Sequence, residues 1–129
     1  MDISRLPEPL RGRAEELERR PTLQKVREFL SGHVNDMDSV DEIRDQLRSI
    51  AASTTFGLRS EMRALDEFLA APRPPGQLAE LVAWDANWRL DDPSDEGAEV
   101  FLRQLADMLR EVVTEADEQR MRRHRRDEP

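Results

Sequence analysis

The chain has 129 residues, no cysteine, and 28 acidic against 20 basic side chains, for a net charge of −8. That length suits one domain that folds without staples, and the missing cysteine rules out disulfides and thiolate metal sites. No apolar run reaches the roughly 20 residues of a membrane span, and the polar, proline-broken start MDISRLPEPL carries no visible secretory signal, so a cytoplasmic protein is expected.

Residues 1–21 read as a weakly structured lead-in, in which Pro7, Pro9 and Pro21 bracket one short helix-compatible stretch, RGRAEELERR. From Thr22 the pattern becomes helical: Leu23, Val26, Phe29, Leu30 and Val34 recur at three- and four-residue spacing. Ser39 followed by Glu42 forms a capping-box signature, and Val40, Ile43, Leu47 and Ile50 give the buried face of the helix it opens. A break at STTFG leads to a helix over about 57–71, with Leu58, Met62, Leu65 and Leu69 in its stripe and Phe68 beside it. The run PRPPG ends it, since proline cannot continue the backbone ladder. A short helix over about 77–86 carries Leu78, Leu81, Val82 and Trp84, with Trp88 four residues beyond Trp84 on the same face if the helix reaches it.

The acidic loop WRLDDPSDEGA supplies Ser94 or Asp95 as the cap of the last helix, whose stripe runs from Ala98 through Leu105 and Leu109 to Ala116. Past Ala116 the stripe stops, and residues 119–129 read as a basic, fraying tail on a helical domain spanning 22–118. No segment alternates with period two. The expectation is an all-α fold: a single compact bundle of five to six helices with a long C-terminal helix.

The chemistry of catalysis is sparse. His33 and His124 are the two candidate imidazole bases; His124 lies in the tail, and His33 ends an apolar stripe, as helix-end histidines ordinarily do. Asp36 and Asp38 have the spacing of a calcium loop, but Val40 and Asp41 stand where a ligand and a glycine are needed. Neither this cluster nor Asp91, Asp92, Asp95 and Glu96 implies a pocket, and no cofactor, metal or enzymatic activity is expected. The tail RMRRHRR holds five arginines, which leaves 15 basic and 26 acidic residues in 1–118, a net of −11. An acidic body disfavours nucleic acid and steers basic partners toward it. The candidate partner-binding residues are therefore the acids Asp36, Asp38, Asp41, Asp91, Asp92, Asp95 and Glu96, together with Trp84 and Trp88, since tryptophan anchors interfaces as readily as it fills cores.

The order of pieces (a helix ending LSGHVNDMDS, a helix ending EFLAAPRPP, then NWRLDDPSDEGAEVFLRQLADML) resembles the small helical immunity proteins of contact-dependent growth inhibition systems over residues 23–113. The resemblance is carried by Gly32 and Asp36 after the first core helix and by Trp88, Pro93 and Gly97 before the last. It implies a bacterial cytoplasmic protein that neutralises a cognate toxin domain, encoded by an adjacent gene, by occluding it. The rival expectations are a helical adaptor or regulatory module without a toxin, or a homodimer through the final helix, and, third, a nucleic-acid-associated protein using the arginine tail.

Overall fold

A computed structural model describes residues 22–127; the lead-in and its short helix-compatible stretch lie outside the described residues. Five helices account for the fold among those residues, with no strand: α1 over 22–33, α2 Val40–Ser53, α3 Phe56–Ala70, a short α4 Gln77–Glu80 that continues as a π-helical turn Leu81–Asp85, and α5 Asp95–Asp127.

The period-3.6 stripes go where their spacing sends them. Val26, Phe29, Leu30 and Val34 of the first stripe, Ile43 and Leu47 of the second, and Leu58, Leu65, Phe68 and Leu69 of the third are all buried. Each fully buried leucine or isoleucine of this kind contributes about 1.5–3 kcal/mol relative to an exposed one. They converge on α5, whose apolar residues from Ala98 to Ala116 are buried along the whole stripe. The spine helix is thus spent inside its own monomer: on its outer side the large apolar residues left exposed are Val100 and Met121.

Ion pairs along both flanks of α5 report the packing order. Arg44 meets Glu111 at 4.0 Å, Arg48 meets Glu115 at 3.3 Å, and Arg120 donates to the Ala51 carbonyl at 3.0 Å, so α2 runs parallel to α5. On the other flank Arg59 pairs with Asp117, Asp66 with Arg110 at 3.0 Å, and Arg73 with Glu99 at 3.4 Å, so α3 runs antiparallel. Exposed pairs of this sort each contribute little to stability, and here they mainly mark register.

The helix ends are handled by local chemistry. Ser39 caps α2 by accepting from the Glu42 N–H at 3.2 Å; the Glu42 carboxylate reaches back to the N–H of Asp38 at 2.8 Å, one residue earlier than a full capping box requires. Ser94 caps α5 by accepting from the Gly97 N–H at 3.3 Å. α5 also continues as helix through Asp127, beyond the end of its apolar stripe at Ala116. Arg120 fastens this extension to the last turn of α2, where a cation complements the free carbonyls.

Candidate functional site

The two acidic clusters have different surroundings. In the second, Asp95 reaches across 19 residues of chain to accept from the Gly76 N–H at 2.6 Å and 16 residues to accept from the Ala79 N–H at 3.0 Å. It closes the start of α4, where Gly76 sits at φ 85, a conformation that favours glycine. The N–H of Ala79, that of Gly76 and the charge of Arg73 together hold its carboxyl below the usual range. Asp92 is held low in the same way by the hydroxyl of Ser94, at 2.6 Å, and by the Ser94 N–H at 3.1 Å. The loop these residues shape lies so close over the first turn of α5 that a Cβ on Gly97 would stand 2.0 Å from the Asp92 carbonyl oxygen. Asp91 and Glu96 are exposed beside this brace.

Arg73 completes the same corner. Its guanidinium donates to the carbonyls of Phe68, Leu69 and Ala71 at 3.1, 2.8 and 3.0 Å, which caps the end of α3, and it lies 5.8 Å over the Phe68 ring. The segment PRPPG therefore does more than stop a helix. Its arginine ties that helix end to Glu99 of α5.

In the first cluster Asp36 and Asp38 are exposed, and among the described residues no hydrogen bond or ion pair holds either carboxylate. Asp41, also exposed, meets Arg44 on its own helix at 3.6 Å. What fixes this turn is its neighbour Asn35, whose amide donates to the Asp85 carbonyl at 3.3 Å; Ser31 donates to the same oxygen at 3.5 Å. Asp85 directly follows Trp84, so the structure brings the Asp36 turn together with Trp84 and leaves Asp95 at the opposite end of α4.

The tryptophans do not share a face. The helix widens after Leu81: the Ala86 N–H donates five residues back to the Leu81 carbonyl at 3.1 Å, so Ala86 takes the buried place. Asn87 then reverses the chain at φ 48, a region asparagine tolerates better than most residues, and the Trp88 N–H returns to the Val82 carbonyl at 3.0 Å. One inserted residue rotates everything after it by about 100°. Trp84 stands 77% exposed, while Trp88 is turned inward and stacks on Phe101 with ring centroids 5.3 Å apart. The sequence expectation of a common face is corrected by this π-helical turn, a feature found frequently at functional sites.

The arginine tail is an exposed helical extension through Arg125, with Met121 among its exposed residues. His33, the last residue of α1, is half-buried beside the Phe29 ring and 3.5 Å from Glu61. Among the described residues no group of His, Cys, Asp and Glu side chains is arranged to hold a metal ion, and no helix is long and apolar enough to cross a membrane. Sequence reasoning missed Arg73 and Asn35. An asparagine just past one helix end and an arginine just past another were the available signals. Compared with known proteins, the chain matches no family model, no curated protein and no solved structure.

Proposed function

We propose that the chain is an immunity protein that masks a cognate toxin domain, and that it docks through Trp84 and the neighbouring turn bearing Asp36 and Asp38. The observation that carries the reading is Trp84 itself: a 77% exposed indole on a turn held by backbone bonds of its own and by Ser31 of α1 and Asn35 just past it. An anchor whose backbone is already held loses less freedom on binding, which favours a tryptophan as the anchor of an interface. Asp36 and Asp38 beside it, on a chain of net charge −8, suit a basic partner surface and speed its approach.

The test is co-purification with the product of the adjacent gene, followed by affinity measurement for Trp84→Ala. A hot-spot tryptophan costs about 2 kcal/mol or more when truncated, or roughly 30-fold in Kd. Unchanged affinity removes Trp84 as the anchor. A partner encoded elsewhere, with no binding to the neighbouring product, moves the reading to a helical adaptor or regulatory module.

A further inference from the structure

Nδ1 of His33 at the end of α1 and Oε1 of Gln46 on α2 are buried without a hydrogen-bonding partner, while the other nitrogen of the ring, Nε2, stands 3.5 Å from Oε1 of Glu61 on α3. Burying an unpaired polar atom is costly, so these two beside one ring ask for an explanation in common. A neutral imidazole donates from one nitrogen only. Given to Glu61, that proton leaves Nδ1 an acceptor facing the oxygen of Gln46. A doubly protonated ring donates from both nitrogens and meets acceptors on both sides.

We propose that His33, Gln46 and Glu61 form a proton-operated latch, in which the imidazolium clamps the end of α1 to α2 and α3 at once and a neutral ring lets go of the α2 side. Glu61 of α3 is the one charged group acting on the ring among the described residues, Gln46 of α2 is the polar one, and Phe29 of α1 packs against it at 5.5 Å. The balance favours the proton: the hydrogen bond to Glu61 outweighs the burial that opposes charge, and the charge of Glu61 and the side chain of Gln46 add to it, so the His33 pKa lies above the ordinary 6.5. A value raised on folding contributes stability that is complete below the unfolded value and is lost as pH rises through the folded one. The latch is thus closed in mildly acidic solution and opens toward the alkaline side. It sits two residues before Asn35, the residue that holds the Trp84 turn against α1. Its own test is independent of any partner.

The experiment uses the full chain, with ring signals of His33 followed by NMR against pH and told from those of His124 by a His124→Gln variant. His33 is expected to titrate above 6.5. Its midpoint should fall in Glu61→Gln, and it should fall again, independently, in Gln46→Met. The Gln46 variant is decisive, because a reversed amide donating to a neutral ring would make its removal raise the midpoint. The melting temperature of the parent should decline relative to that of Glu61→Gln as pH is raised through the His33 midpoint. A midpoint at or below 6.5, a midpoint that rises or stays in Gln46→Met, or a melting difference that ignores pH each overturns the latch. If the methionine variant does not fold, Gln46→Glu supplies the same test with opposite sign: the added acceptor must raise the midpoint.

Discussion

The two acidic clusters look alike in the sequence and differ in what holds them. Around 91–96 two of the four carboxylates are spent: Asp95 closes α4, Asp92 shapes its own loop, and Gly97 lets that loop lie on α5. Around 36–41 the carboxylates of Asp36 and Asp38 brace nothing, and the element beside them is an exposed tryptophan on a fixed turn. An acid-rich stretch is therefore two different things depending on whether backbone donors from elsewhere in the chain reach it. A cluster consumed by folding has little left for a partner, and a cluster held in place by a neighbouring amide has everything left.

The sharpest way to break the contrast is Gly97→Ala. The added methyl collides most closely with the Asp92 carbonyl, backbone that cannot swing away as a side-chain end can, so the loop must lift off the first turn of α5 and disturb the corner that Asp95 clamps. Overpacking of this kind costs up to about 3 kcal/mol. Chemical denaturation should show a loss of that size, whereas an alanine tolerated without change would mean that the 91–96 brace is not integral to the fold. Arg73→Met comes next. It keeps an aliphatic stem but removes the guanidinium that lies over Phe68 and leaves three carbonyls at the end of α3 without their cationic donor, a loss of about 2 kcal/mol readable in the same measurement.

Asp95→Asn tests the same corner through pH. The Asp95 carboxyl is held low in the fold, so its contribution is present above the unfolded carboxylate value and is lost as pH falls through the folded one. The asparagine variant should melt below the parent at neutral pH, and the gap should close in acid. A gap that persists unchanged at low pH would assign the effect to packing and not to the charged acceptor.

The contrast between clusters was not visible in the sequence, whereas the bundle was. Stripes at three- and four-residue spacing identify a buried face locally, which is why Leu30, Ile43, Leu65 and Leu105 fall in the core as their spacing predicts. The cap at Ser94 was legible for the same reason: its partner, Gly97, is three residues away. Asp95, and Arg73 in its bond to Glu99, act on groups brought to them by the packing of α3, α4 and α5, and no local pattern encodes such a meeting. Trp84 illustrates the limit from the other side. Four residues before Trp88, it would share that residue's face in a continued α-helix, and the π-helical turn with the chain reversal at Asn87 sets the two apart.

The smallest effect on stability belongs to the other cluster, and it discriminates best. Asp36→Lys and Asp38→Lys together change two exposed side chains that hold nothing, and surface substitutions of that kind stay within about 0.5 kcal/mol. The backbone N–H of Asp38 keeps its bond to Glu42 whatever side chain stands there. Denaturation midpoints should therefore match those of the parent, in contrast to every change at the braced corner. If a basic surface docks beside Trp84, the same pair of reversals should slow its association and flatten the dependence on ionic strength, because charges at an interface rim act mainly on the rate of encounter. The matched control is Asp91→Lys with Glu96→Lys, which places two exposed reversals at the braced corner and leaves Asp92 and Asp95 untouched. Stopped-flow binding of both double variants reads the outcome: slower association for the first pair alone locates the partner at the Trp84 turn, and equal slowing for both pairs reduces the role of either cluster to the net charge of the whole chain.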